Sequence, residues 1–175
     1  MASKEVVIVG MARTAIGSFQ GALSALPAAR LGAAAIQAAL SRAGVKPEQV
    51  SEVILGNVLT AGSGQAPARQ AAIFAGLPKS VPALTINKVC GSGMKAVMMG
   101  AQSILLGDSE VVVAGGMESM SNVPYVVHGA RTGFRMGHQS MVDAMIHDGL
   151  WDPYNNQHMG NCAEQCAAKY KLTRE

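Results

Sequence analysis

The sequence predicts an α/β fold, a mostly parallel sheet with helices on both faces. Three observations predict it. From Val6 to Gly116, short apolar runs of strand type alternate with helical patterns in β-α-β-α-β-α-β order. Helix punctuation falls between the runs, with Gly44 closing one helix and Pro67 opening the next. The 175 residues are 49% hydrophobic but only 4% aromatic, with 20 glycines, a composition for close-packed helices and strands rather than disorder. That length is enough for one ordinary domain and a sizeable core.

Val6 to Val9 reads as the first buried strand. A loop from Ala12 to Pro27 follows, then an alanine-rich helix over Ala28 to Ala43. Arg30, Gln37 and Ser41 recur in it at i, i+7 and i+11, one narrow polar stripe, so the rest of the helix should be mostly covered. Gly44 ends it. Val53 to Val58 is the second strand. Ala61 to Gly64 is a turn, and the next helix runs from Pro67 to about Gly76. Ala83 to Val89 is the third strand and Glu110 to Gly116 the fourth. Right-handed crossovers between such strands give a parallel sheet.

Between the third strand and the next helix lies Asn87-Lys88-Val89-Cys90-Gly91-Ser92-Gly93-Met94-Lys95-Ala96. Gly91 and Gly93 allow a tight turn and a close approach of the backbone. From Met94 to Leu106 only Lys95, Gln102 and Ser103 are polar, the pattern of a buried helix. Cys90 thus stands at the carboxyl end of a strand, at the mouth of a helix whose free N–H groups favour a thiolate or a developing oxyanion. Position alone leaves two readings open: a nucleophile, or a structural cysteine at a strand–helix junction.

From Asn122 onward Pro124, Gly129, Gly133, Gly137 and scattered His, Arg and Tyr replace the apolar runs, so a boundary falls near Ser121. Val142 to Gly149 reads as a short helix and Met159 to Tyr170 as a longer one. The net charge of +3 is spread out, and no basic run interleaved with aromatics indicates nucleic acid. No apolar run looks long enough to span a membrane. Ser3-Lys4-Glu5 leads straight into the first strand, and the three cysteines have no disulfide-scaffold spacing, which together point to the cytoplasm. Gly62-Ser63-Gly64 lacks the Gly-Lys of a nucleotide loop. His158, Cys162 and Cys166 at i, i+4 and i+8 could offer imidazole and thiolate to zinc, but no fourth ligand follows in the usual spacing, and two buried, packing cysteines are expected instead. His128, His138 and His147 read as solvated, with Asp143 at i−4 from His147 as the one neighbour of note.

The cysteine segment resembles the nucleophile motif of the thiolases, enzymes that make and cleave 3-ketoacyl-CoAs. Ala12-Arg13-Thr14-Ala15-Ile16-Gly17-Ser18-Phe19 resembles the family's opening, and Gly64-Gln65-Ala66-Pro67-Ala68-Arg69-Gln70-Ala71 its second helix. Gly115-Gly116-Met117-Glu118-Ser119-Met120-Ser121 is similar to the segment closing its first core half, and His158-Met159-Gly160 to a motif of its loop domain. The matches run in family order over almost the whole chain.

The resemblance implies the N-terminal half of a five-layer αβαβα fold, residues 1–121, with its last strand missing, plus the beginning of an inserted loop domain over 122–175. It implies that Cys90 is the nucleophile that carries the acyl group, with its own N–H in an oxyanion hole. Leu150, His158 and Met159 would line the coenzyme A and pantetheine pocket, with Met159 closing over the acyl group and His158 against the pantetheine arm. Read without the resemblance, His158 caps a helix and Met159 fills a core gap. The implied substrates are acetyl-CoA and acetoacetyl-CoA, with coenzyme A entering as part of the substrate and no cofactor besides. A homo-oligomer, dimer or tetramer, is implied as well.

Some of the family's machinery has no match. The activating histidine belongs to a Gly-His-Pro motif, whereas the sole Gly-His is Gly137-His138-Gln139. The second catalytic cysteine, in a Cys-x-Gly motif, and the Asn that orients an oxyanion-hole water are absent too. A chain ending at Glu175 is therefore expected to leave a large apolar face on the Met94 to Leu106 helix and to be inactive alone. The main expectation is a biosynthetic acetyl-CoA C-acetyltransferase. The alternatives are a degradative thiolase for longer 3-ketoacyl-CoAs and a truncated, non-catalytic binding or assembly partner. A ketoacyl synthase shares the fold but has a different nucleophile motif.

Overall fold

The computed structural model describes residues 5–175, so Ser3 and Lys4 lie outside the described residues. The chain forms two compact units, residues 5–122 and 123–175.

In the first unit the elements are α1 (Ala28–Ala43), β1 (Glu52–Gly56), α2 (Pro67–Phe74), β2 (Ala83–Ile86), α3 (Ser92–Leu106) and β3 (Val112–Gly116). The sheet order is β2-β1-β3, and every pair is parallel, with Val53 opposite both Ala83 and Val113. Parallel neighbours need crossovers, which α2 and α3 provide. Side-chain alternation separates the two faces. Val53 and Leu55 join Ala33, Ile36, Leu40, Ala71 and Ala72 in one core with α1 and α2. Ile54 and Gly56 point the other way, toward α3, where a Cβ on Gly100 would lie 3.0 Å from Val112 Cγ1. Helices thus cover both faces.

Helix α1 starts and stops where its alanine pattern does. Gly44 at φ 65° takes the left-handed position after it, and its cap closes on the Leu40 and Ser41 carbonyls. Small residues let α1 and α2 approach closely: Ala68, Ala71 and Ala72 are fully buried. Burial of Ile36 or Leu40 contributes about 1.5–3 kcal/mol each relative to exposure.

Several expectations need correction. Val6 to Val9 form no strand, and Ile8 is 79% exposed. The segment is anchored to a helix instead of a sheet edge. Arg42 Nη1 donates to the Met11 carbonyl at 2.8 Å, and Gly10 fits so closely on α1 that a Cβ there would lie 2.8 Å from the Ala39 oxygen. With no ladder partner the backbone cannot become a strand. It lines one side of an apolar cavity of about 530 Å³, whose other walls include Ile36, Leu40, Val97, Ile104 and Val113. The sheet consequently has three strands where four were expected.

Second, α3 is not buried all round. Ser92, Ala96 and Gly100 are its buried residues, the edge that meets the sheet. Met94, Val97, Met98, Leu105 and Leu106 are exposed, as expected for this stretch of chain alone. Third, residues 89–106 do reach membrane-spanning length and apolarity by composition, over 18 residues of mean hydropathy 1.2. The helix itself has 15 residues, however, and at 1.5 Å per residue covers about 22 Å, short of the ~30 Å hydrocarbon core. It lies against β1 and β3, as a core helix of a sheet protein does.

The second unit is built from short pieces. Strands β4 (Tyr125–Val126) and β5 (Val142–Asp143) pair antiparallel, as do β6 (Trp151–Asp152) and β7 (Gln157–His158). A π-helix spans Met145–Leu150 where an ordinary short helix was expected from Val142, because Val142 and Asp143 are held in the β4 pairing and Asp143 Oδ1 accepts the Met145 N–H at 2.9 Å. Helix α4 runs over Met159–Tyr170, the predicted span. His147 Nδ1 meets Asp148 Oδ1 at 2.9 Å rather than Asp143, an exposed pair that contributes little.

Candidate active site

Three parallel strands end on one side, and a polar residue follows each: Asn57 directly after β1, Asn87 directly after β2 and Glu118 two residues after β3. Ligands meet open parallel sheets on this side. The turn carrying Cys90 joins β2 to α3 there, and the Cys90 thiol is exposed.

That turn is clamped by side chains. Asn87 Oδ1 accepts the Val89 N–H at 2.9 Å. The Ser92 hydroxyl accepts the Lys88 N–H at 2.7 Å and donates to the Val89 carbonyl at 2.6 Å. The Gly91 N–H closes on the Lys88 carbonyl at 3.1 Å. The tight position falls on Val89, at φ 47°, and not on a glycine. Gly91 has φ −85°, open to any residue, and is the residue before the first turn of α3. Cys90 thus precedes the helix by two residues, at its positive end. Buried Ser92 can reach the turn because β1 ends in a glycine. A Cβ on Gly56 would lie 2.5 Å from Ser92 Cβ.

Glu118 organises the ground beside this turn. Its Oε1 accepts Asn57 Nδ2 at 2.6 Å and the Leu59 N–H at 3.2 Å, and its Oε2 accepts the Val58 N–H at 2.8 Å. Burial pushes the Glu118 carboxyl above its ordinary range, against the lowering effect of these three donors. Asn57 is 1% exposed; its Nδ2 also reaches the Met117 carbonyl at 3.3 Å, and its Oδ1 is buried with no partner among the described residues. Val58 in turn accepts Asn87 Nδ2 through its carbonyl at 3.4 Å.

Leu150, His158 and Met159 belong to the second unit. The β6–β7 hairpin sets Trp151 opposite His158, and Leu150 and Met159 flank that pair. His158 Nδ1 accepts the Gly160 N–H at 2.9 Å and so caps α4. With Nδ1 accepting, the neutral ring carries its proton on Nε2. Met159 is 46% exposed and fills no core gap. Asp152 Oδ2 accepts Asn155 Nδ2 at 2.7 Å, and Oδ1 accepts the Tyr154 N–H at 2.9 Å; these bonds hold the Asp152 carboxyl below its usual range. Cys162 Sγ lies 4.0 Å from Asp152 Oδ2 and is only partly buried, and Cys166 is exposed, so the two are not the buried cysteines expected. Among the described residues no three His, Cys, Asp or Glu gather as a ligand set.

A family model described as "Thiolase, N-terminal domain" matches residues 6–175. The chain belongs to the thiolase family. Its similarity extends to curated proteins named acetyl-CoA acetyltransferase. The one from Cupriavidus necator is 66% identical over 98% of this chain and 44% of its own length. That from Pseudomonas aeruginosa is 64% identical over 98% and 44%. Acetyl-CoA acetyltransferase 2 from Arabidopsis thaliana is 62% identical over 98% and 43%. The chain therefore spans less than half the length of these relatives.

Reading the thiolase motifs residue by residue found Cys90 but gave Asn57, Asn87, Ser92 and Glu118 no individual role. One signal was present: Asn57, Asn87 and Glu118 each follow a strand-type run, at the end where parallel sheets place ligands. What joins them is a set of contacts between positions about thirty and sixty residues apart, such as Asn87 to Val58 and Val58 to Glu118, which spacing does not show.

Proposed function

We propose that this chain supplies the nucleophile portion of a thiolase-type acyltransferase that condenses two acetyl-CoA into acetoacetyl-CoA and coenzyme A, and runs the reverse thiolysis. The observation that carries the reading is Cys90, an exposed thiol in a clamped turn between a parallel strand and a helix, in a chain 66% identical to an acetyl-CoA acetyltransferase. The Cys90 thiolate attacks the acyl carbonyl carbon. The tetrahedral oxyanion collapses, the bond to the coenzyme A sulfur breaks, and free coenzyme A leaves an acetyl thioester on Cys90. N–H groups at the helix mouth, that of Cys90 among them, receive the charge as it forms on the carbonyl oxygen. A general base outside residues 1–175 then takes a methyl proton from a second acetyl-CoA, and the enolate carbon takes the acetyl group from Cys90, whose sulfur leaves as the thiolate.

Leu150, His158 and Met159 are proposed to line the pantetheine pocket, with His158 Nε2 as the hydrogen-bond donor. Coenzyme A enters as part of the substrate, and the protein works as a cytoplasmic homo-oligomer. Incubation of the full-length protein with acetyl-CoA, followed by peptide mass spectrometry, tests the core of this. An acetyl group is expected on Cys90 and on neither Cys162 nor Cys166, and Cys90→Ser should abolish acyl transfer. An unlabelled Cys90 that also alkylates no faster than the other two cysteines sinks the assignment.

A further inference from the structure

We infer that Glu118 is a positioning residue for Cys90, acting through Val58 and Asn87. The inference rests on Cys90 as the nucleophile. Its path is continuous. Both Glu118 oxygens are taken by the stretch 57–59, through the Asn57 side chain and the Val58 and Leu59 N–H groups. That fixes the backbone as it leaves β1 and presents the Val58 carbonyl to Asn87 Nδ2 at 3.4 Å. The other end of the same carboxamide holds the Val89 N–H at 2.9 Å. Val89 sits at φ 47°, a conformation that a β-branched residue adopts only when its surroundings impose it. The next residue is Cys90. Asn87 alone could rotate away, because its side chain is exposed. What fixes its direction is the Val58 carbonyl, and what fixes that carbonyl is Glu118.

The chemistry of the anchor favours a carboxylate. Three donors converge on it, and a carboxylate accepts at both oxygens without presenting a hydrogen of its own. Glutamine would turn an NH2 group toward one of those donors. A half-buried acid at this place also carries a desolvation cost, visible in its raised carboxyl pKa, that a purely structural contact between β1 and β3 does not require.

The test measures how fast iodoacetamide carbamidomethylates Cys90 in the full-length protein, with Cys162 and Cys166 as internal references, alongside kcat and KM for thiolysis of acetoacetyl-CoA. Glu118→Gln and Asn87→Ala should each slow Cys90 relative to the reference cysteines and lower kcat about tenfold, with KM within about twofold, and the double variant should be no slower than Asn87→Ala, because coupled residues are not additive. Glu118→Asp, which keeps both acceptors on a shorter arm, should fall between Glu118→Gln and the wild type. Losses that multiply in the double variant overturn the inference, as does a Glu118→Gln protein with an unchanged Cys90 rate. If neither Glu118 variant folds, Glu118 is a stability residue and the positioning role is withdrawn. Failure of the nucleophile reading is seen separately, as acyl transfer that survives Cys90→Ser, because carbamidomethylation needs only the thiol.

Discussion

Val89 and Glu118 each hold a state that their surroundings impose. Valine at φ 47° costs about 1–2 kcal/mol relative to residues that tolerate the left-handed region. Asparagine tolerates it, and Val89 is half exposed, so Val89→Asn should raise the unfolding free energy by roughly 1 kcal/mol, measured by urea denaturation. A lower value would mean that the valine methyl groups contribute packing that outweighs the strain. Glu118 gives a pH dependence whose sign follows from burial. Its folded carboxyl pKa is raised above 4.5, so the folded state binds the proton more tightly than the unfolded chain. The stability it contributes is fully present below pH 4.5 and is lost as pH rises through the folded value. Glu118→Gln cannot titrate, so the wild type's advantage over that variant should shrink as unfolding is measured at successively higher pH. An advantage that grows with pH would show that the three donors outweigh burial. Asp152 has the opposite sign: its lowered carboxyl contributes stability above pH 3.8 that is lost as pH falls below it.

Among the elements, β1 and α3 meet where neither has room for another carbon. A methyl on Gly56 would lie 2.5 Å from Ser92 Cβ and 2.7 Å from the Ser92 carbonyl carbon, and backbone cannot swing aside as a side chain can. Gly56→Ala should therefore cost about 1–3 kcal/mol by overpacking. It should also disturb the Cys90 turn, since Ser92 holds both Lys88 and Val89. Thermal unfolding together with Cys90 alkylation checks both; a stable variant with unchanged alkylation would show that the contact relaxes freely. The elements were legible in the sequence to different degrees. Helices α1 and α4 have the predicted limits because alanine spacing and glycine stops are local signals. Strands β1 and β2 end earlier than the apolar runs that predict them, at Gly56 and Ile86, because pairing with a neighbour sets the length of a strand.

At the scale of the whole chain, α3 presents an exposed apolar side. Met94, Val97, Met98, Leu105 and Leu106 form an apolar surface on a helix whose opposite edge packs on the sheet. Contiguous apolar surface of this kind drives association. Met94→Glu with Met98→Lys places an ordered i,i+4 pair on that side, with the acid toward the helix start. In the 175-residue chain it should lower binding of an apolar fluorescent dye and leave stability within about 0.5 kcal/mol. A loss above about 1 kcal/mol would mean that the two methionines are covered in solution.

By itself the sequence determined the α/β class, the order of α1, α2, α3 and α4, the limits of α1 and α4, the position of Cys90 between a strand and a helix, and the thiolase family. These follow from periodicity, from turn and cap residues and from contiguous motifs, all of which act over a few neighbouring positions. Only the tertiary structure decided which runs pair. It left Val6 to Val9 off the sheet, against α1, and moved the strained position of the turn from the glycines to Val89. It also joined Glu118 to Val58, Val58 to Asn87 and Asn87 to the turn. Each of these depends on which distant backbone groups find a partner, and a hydrogen bond between residues sixty apart leaves no period in the chain that makes it.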